Sequence, residues 1–207
     1  MNGGVVEAID WQKCAGLIPA VIQDSRSLQV LMLGYMNQQA LLHTLESKRV
    51  TFWSRTKQRL WMKGESSGHI LKLCEMSLDC DGDTLLIQAD PVGPTCHKGS
   101  VSCFSPEAET VRGLGFLGKL EQIIDSRREA APGESYTAAL FDKGVKRIAQ
   151  KVGEEGVEVA LAATAGDREE LISESADLLF HLLALLKQQG LSLDDVGACL
   201  AERHLES

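Results

Sequence analysis

The chain has 207 residues and carries 21 Lys and Arg against 29 Asp and Glu, a formal net charge of −8. With 44% apolar and 24% charged residues it is neither a disordered chain nor a coiled-coil rod, and its acidity argues against a nucleic-acid partner, which needs a basic stripe. The longest strongly apolar stretch, Leu178 to Leu186, is interrupted by His181 and is far shorter than the roughly 20 residues that span a bilayer, so no membrane span is expected. The acidic start MNGGVVEAID lacks the basic and then apolar pattern of a signal peptide, which makes a cytoplasmic protein the expectation. In that compartment the six cysteines are thiols, and spaced thiols read as metal ligands or core filler rather than a disulfide framework.

Up to about residue 103 the chain reads as β-rich. Strands are expected at Leu17-Ile-Pro-Ala-Val-Ile, Val30-Leu-Met-Leu, Val50-Thr-Phe-Trp-Ser, His69-Ile-Leu-Lys-Leu and Thr84-Leu-Leu-Ile-Gln. One helix interrupts them: Asn37 can cap Gln38 to Glu46, whose Ala40, Leu41, Leu42 and Leu45 form an apolar stripe. Beyond about residue 112 the period changes to 3.6. Helices are expected over Phe116 to Arg128, stopped by Pro132-Gly133, and over Val145 to Ala165, ended by Gly166. Asp167 with Glu170 resembles a capping box for a helix running to about Gln189, and Ser192 with Asp195 starts a last one. The expected fold is therefore two domains, a β-rich α+β domain over 1–108 and an all-α helical domain over 109–207.

Residues 79 to 83 read Asp-Cys-Asp-Gly-Asp, and Cys96, His97 and Cys103 follow. In an extended chain Asp79, Asp81 and Asp83 project to one side and Cys80 to the other, so one segment can serve two metals. Carboxylate oxygens suit magnesium (Mg²⁺), and thiolates from Cys80, Cys96 and Cys103 suit zinc (Zn²⁺) with one position left open for water. The competing reading makes Cys80 and Cys103 small buried side chains and the aspartates a turn between strands. An EF-hand is excluded because Gly82 is fourth from Asp79, where that loop needs a glycine sixth. Gly64-Glu-Ser66-Ser-Gly68 formally matches a serine-hydrolase elbow, but the elbow requires a helix straight after the serine and His69-Ile-Leu-Lys-Leu reads as a strand. A zinc nucleobase deaminase fails for want of Pro-Cys-x-x-Cys.

In the helical half, Glu155 with Glu158 and Glu174 with Asp177 each share a helix face. Like charges repel, so two such pairs come together favourably only around a cation; a solvated acidic face is the alternative. Glu155 borders the stripe of Val152 and Val159, whereas Glu154 points away from it. Gly153 and Gly156 each weaken the helix by up to about 1 kcal/mol relative to Ala, which suggests close approach by a ligand or helix. Lys143, Lys146, Arg147 and Lys151 upstream can hold phosphates or balance charge.

Five motifs in order, Val30-Leu-Met-Leu-Gly-Tyr-Met-Asn, Phe52-Trp-Ser-Arg-Thr-Lys-Gln-Arg-Leu-Trp, Lys63-Gly-Glu-Ser-Ser-Gly, Asp79-Cys-Asp-Gly-Asp and Gly93-Pro-Thr-Cys-His97, resemble phosphoribosyl-AMP cyclohydrolase. Tyr136-Thr-Ala-Ala-Leu-Phe, the stretch Arg147 to Glu158 and the Glu174/Asp177 pair resemble phosphoribosyl-ATP pyrophosphohydrolase of the all-α nucleotide pyrophosphatases. The whole chain thus resembles the bifunctional family of histidine biosynthesis. The resemblance implies that the second half cuts phosphoribosyl-ATP to phosphoribosyl-AMP and pyrophosphate, with Mg²⁺ on Glu154, Glu155, Glu158, Glu174 and Asp177 and with Glu155 and Glu158 catalytic. The first half would open the adenine ring with water activated by zinc on Cys80, Cys96 and Cys103. His97 would be a proton shuttle or a fourth zinc ligand, and Asp79, Asp81 and Asp83 a Mg²⁺ site. Ser54, Arg55, Thr56, Lys57, Gln58, Arg59, Trp61, Lys63, Glu65, Ser66 and Ser67 match the substrate-facing stretch, and Lys143 and Lys151 would meet the triphosphate. The resemblance further implies a homodimer sharing zinc, with Cys80 from one chain and Cys96 and Cys103 from the other. His69 after Gly68 is the one local departure noticed, at a position that often differs. A metal-stabilised nucleotide-binding protein without turnover is the alternative class.

Overall fold

The computed structural model describes residues 3–104, 114–128, 130–131 and 133–205. The chain divides into two compact units, Met1–Phe116 and Leu117–Ser207. The expected junction at 108/109 lies outside the described residues.

The first unit is built on a four-stranded sheet of β1 (Ile18–Asp24), β2 (Val30–Met36), β5 (Leu71–Leu78) and β6 (Leu85–Pro91), in the order β2-β1-β6-β5. Only β1 and β6 run parallel, Ala20 beside Leu85. Strict alternation along β1 sends Ile18, Ala20 and Ile22 into the core, where they meet Leu31, Met36, Leu85 and Ile87. Helix α2 (Gln38–Ser47) begins where Asn37 Oδ1 accepts the Ala40 N–H at 2.8 Å, and it buries Ala40 and Leu41 in that core. The hairpin of β3 (Thr51–Ser54) and β4 (Arg59–Met62) forms a second sheet. Its Phe52 ring lies over Gly34, where a Cβ would fall inside the ring atoms; a residue without a side chain is what lets hairpin and sheet close.

Three details differ from the sequence expectations. A short α1 (Gly3–Ala8) precedes the sheet, so α2 is not the only helix of this unit. Strand β4 was not foreseen. Strand β5 starts at Leu71 rather than His69 and runs to Leu78, with a register shift between Leu73 and Glu75.

The second unit contains most of α3 (Leu114–Arg128), which starts just before the boundary, with the unanticipated α4 (Tyr136–Asp142), α5 (Gly144–Ala165), α6 (Arg168–Gln188) and α7 (Leu193–Leu205). No strand occurs among its described residues. Asp167 Oδ1 caps α6 by accepting from the N–H groups of Glu169 and Glu170, and Gly166 ends α5 at φ 70°. The core joins Ile124, Leu140, Phe141, Ile148, Leu183 and Ala184. Among the described residues no helix is long and apolar enough to cross a membrane.

Candidate active sites

In the first unit a cavity of about 530 Å³ is lined by Trp61, Lys63, Glu65, Ser66 and Ser67 on one side and by Cys96, His97 and Cys103 on the other. Two backbone ties place the thiols. The Cys96 N–H donates to Ser100 O at 3.0 Å in a tight turn, and the Cys103 N–H donates to Leu31 O at 2.8 Å, fastening the segment to β2. Both side chains line the cavity. Donors from the Lys98 backbone and Ser100 hold the Cys96 thiol below its ordinary value, while burial and the neighbouring Cys96 push Cys103 up. Two thiols lining one cavity are soft donors that suit a cation such as zinc. His97 Nδ1 lies 4.0 Å from Cys96 Sγ. Thr95 is buried and its Oγ1 has no hydrogen-bond partner among the described residues, as expected of a hydroxyl that meets a ligand. Burial lowers the Lys63 amine from its usual value, with the two thiols opposing the shift.

Cys80 does not join this pair: among the described residues no group of three ligand atoms contains it, and it is exposed. The segment around it is a turn closing the β5–β6 hairpin, not the extended chain expected. Gly82 takes φ 77°, and Asp79 Oδ1 accepts from the N–H groups of Asp83 (2.9 Å) and Thr84 (3.0 Å). The turn nevertheless brings carboxylate oxygens of Asp79, Asp81 and Asp83 within 4.8 Å of one another.

The expected substrate-facing stretch divides. Trp61 and the run Lys63 to Ser67 reach the cavity, whereas Ser54, Arg55, Thr56, Lys57, Gln58 and Arg59 lie at the β3–β4 turn and do not line it. Arg55 stacks over Tyr35 at 3.9 Å, and Arg59 forks onto both Glu65 carboxylate oxygens, holding Glu65 below its ordinary pKa.

In the second unit α5 and α6 set ligand oxygens of Glu155, Glu158 and Glu174 within 4.8 Å of one another. A cavity of about 450 Å³ adjoins, lined by Arg127, Tyr136, Thr137, Lys151, Glu155, Asp177, Phe180 and His181. Glu155 is 3% exposed and accepts from Lys151 Nζ at 2.7 Å, which lowers its pKa despite burial. Glu174 moves the other way, raised by burial and then by Glu158, Glu155 and Asp177. Asp177 lines the cavity outside the group of three, and Glu154 turns to Lys151 (3.0 Å) and Arg147 (3.7 Å). Lys143 is exposed between α4 and α5 and does not line the cavity. A Cβ built on Gly153 or Gly156 would meet nothing within 4 Å, so among the described residues these glycines mark no close approach.

Several cavity-lining residues were not assigned to a site from the sequence, although Thr95, Tyr136 and Thr137 lie in the quoted motifs: His69 and Thr95 in the first cavity, and Arg127, Tyr136, Thr137 and His181 in the second. His181 Nδ1 donates to Asp177 O at 2.8 Å, so Nε2 accepts the Tyr136 hydroxyl proton at 3.0 Å. The available signal was its spacing, three and then four residues along α6 from Glu174 through Asp177, on one helix face.

Residues 32–105 match the family model described as phosphoribosyl-AMP cyclohydrolase, and 117–204 match that of phosphoribosyl-ATP pyrophosphohydrolase. Among similar curated proteins, the histidine biosynthesis bifunctional protein HisIE of Vibrio cholerae is 59% identical over 200 residues, 97% of this chain and 95% of its own. That of Photobacterium profundum is 61% identical over 203 residues, 97% and 98% of the two chains. That of Campylobacter jejuni is 58% identical over 198 residues, 96% and 95% of the two.

Proposed function

Because the chain belongs to the bifunctional histidine-biosynthesis family that joins a phosphoribosyl-AMP cyclohydrolase to a phosphoribosyl-ATP pyrophosphohydrolase, we propose that its two cavities carry out two consecutive hydrolyses. The observation that carries this reading is the presence in one chain of two separately built ligand groups, in the order of the two family models. Cys96 and Cys103, lining one cavity beside His97, form the first, and the gathered carboxylates of Glu155, Glu158 and Glu174 the second.

The donor sets divide by chemistry, sulfur for zinc and carboxylate oxygen for magnesium. When bound, zinc supplies a water acidified to a pKa of about 7 and magnesium neutralises phosphate charge. In the second unit Glu155, Glu158, Glu174 and Asp177 would hold magnesium, Glu154 steers Lys151, and Lys151, with Lys143 outside the cavity lining, would meet the triphosphate. Glu155, kept ionised by Lys151, and Glu158 orient the attacking water on the α–β phosphate linkage, releasing pyrophosphate. The phosphoribosyl-AMP left over is the substrate of the first unit. There Trp61 provides a face for the purine, Lys63, Ser66 and Ser67 bind polar edges, and the stretch from Ser54 to Arg59, beside the cavity lining, contributes through Arg59, which holds Glu65. Asp79, Asp81 and Asp83 would hold magnesium, which would neutralise charge on the substrate phosphate. His97, next to a zinc ligand, passes the proton as the ring opens. Cys80 of a second subunit completes the zinc set, making the protein a cytoplasmic homodimer, with the domain junction at 108/109.

Purified protein given phosphoribosyl-ATP releases both pyrophosphate and the ring-opened product. Tight nucleotide binding with neither product would identify a binding protein without turnover.

Glu174 gives the helical site a signature in stability. Its raised pKa means the folded state disfavours the ionised form, so stability present at low pH is lost as pH rises through the folded-state value. At neutral pH in chelator, Glu174→Gln therefore raises Tm slightly. In excess Mg²⁺ the ranking reverses, because the variant has lost a ligand. Paired thermal melts check both signs, and a lower Tm in chelator contradicts the crowding of these carboxylates.

A further inference from the structure

Lys13 lies in the turn between α1 and β1, in none of the motifs that mark the family, yet its Nζ is 2.6 Å from Asp81 Oδ2 and 2.6 Å from Asp83 Oδ2. It is not a loose surface lysine. The turn that carries it is clamped to the aspartate turn by the Asp10 N–H donating to Gly82 O at 2.9 Å and by the Cys14 thiol at 3.5 Å from Asp83 O. Asp10 Oδ1 in turn accepts from the Lys13 N–H at 3.0 Å, and a Cβ on Gly82 would come within 3.2 Å of Ala8 O. The ammonium is thus held by its backbone over two of the three carboxylates that would hold a metal.

We propose that Lys13 is a tethered counter-cation of this aspartate turn, occupying the cation position until magnesium enters and lowering the affinity of the turn for the free ion. The inference rests on the magnesium reading of Asp79, Asp81 and Asp83. Three carboxylates within 4.8 Å repel, and one ammonium offsets part of that repulsion in the metal-free chain. Magnesium must break both ion pairs and then bind beside a displaced positive charge. Lys13 pairs most readily with whatever anion arrives next, so the ion is held best when a phosphate of the substrate accompanies it. Consistent with the geometry, Lys13 is raised above the ordinary lysine pKa and Asp81 is lowered by it.

The test uses the full-length, zinc-loaded protein and Mg²⁺ alone, following the amide signals of Gly82 and Thr84 by NMR so that only this turn is read. Lys13→Met tightens Mg²⁺ binding by about tenfold, Lys13→Arg leaves it near the original value, and Lys72→Met, with the same change in net charge at a pair with Asp90, leaves it unchanged. Unchanged or weaker binding in Lys13→Met, with the shifts abolished by Asp81→Asn, overturns the proposal and leaves the magnesium site standing. Absence of any Asp81-dependent shift in all of these proteins overturns both.

Discussion

Glu155→Gln lowers pyrophosphate release from phosphoribosyl-ATP by about a hundredfold or more, while ring opening of supplied phosphoribosyl-AMP stays nearly intact. The substitution keeps the side-chain shape and removes the charge. Glu155 is buried, pairs with Lys151 at 2.7 Å and contributes one of the three gathered ligand oxygens, so no neighbouring group takes over its position. Cys96→Ser does the reverse, because a serine hydroxyl is a poor substitute for a thiolate on a soft cation. The effects separate because the core around Ile22, Leu31 and Ile87 and the core around Ile124, Ile148 and Leu183 share no residue. Each variant is assayed with each substrate after folding is verified by circular dichroism. Loss of both reactions in either folded variant contradicts two independently working units.

What could be read from the sequence was whatever is written locally. The alternation of Ile18, Ala20 and Ile22 and the period of Ile148, Val152 and Val159 report which face is buried, and Asn37 and Asp167 announce helix starts through caps that the structure contains. Elements that escaped are short. Helix α4 has seven residues and β4 four, too few to display a period, and α1 is rich in Gly and Val, which are weak helix formers. The aspartate turn shows a subtler failure. Alternation in an extended strand placed its three carboxylates together for the wrong reason, since Gly82 and the Asp79 side chain fold the segment into a turn that gathers them anyway. Gly153 and Gly156 suggested close packing that the described residues do not provide. Long-range pairings were invisible: Lys13 meets Asp81 across 68 positions, and Tyr136 meets His181 across 45.

Mixing inactive Cys80→Ser protein with inactive Cys96→Ser protein, under conditions where subunits exchange, restores cyclohydrolase activity. The argument starts from the separation seen within one chain, where Cys96 and Cys103 line one cavity while exposed Cys80 joins no three-ligand group among the described residues. Asp79 faces inward on its own turn, its Oδ1 accepting from Asp83 and Thr84, and that bonding fixes the turn bearing Cys80 at the end of the β5–β6 hairpin. If a second subunit brings its Cys80 to the Cys96–Cys103 pair, a heterodimer of the two variants contains one zinc set with all three thiolates and one lacking two of them. Activity then rises to about half that of the unsubstituted dimer per heterodimer, given one intact site of two. Structural zinc peptides gain roughly 10–16 kcal/mol apparent from metal at neutral pH, and a fraction of that couples assembly to zinc, so chelation also shifts the dimer towards monomer in sedimentation at low protein concentration. Heterodimers demonstrated by mass spectrometry that remain inactive sink the shared site while leaving Cys96 and Cys103 as zinc ligands. A dimer indifferent to chelation would remove the coupling between zinc and assembly.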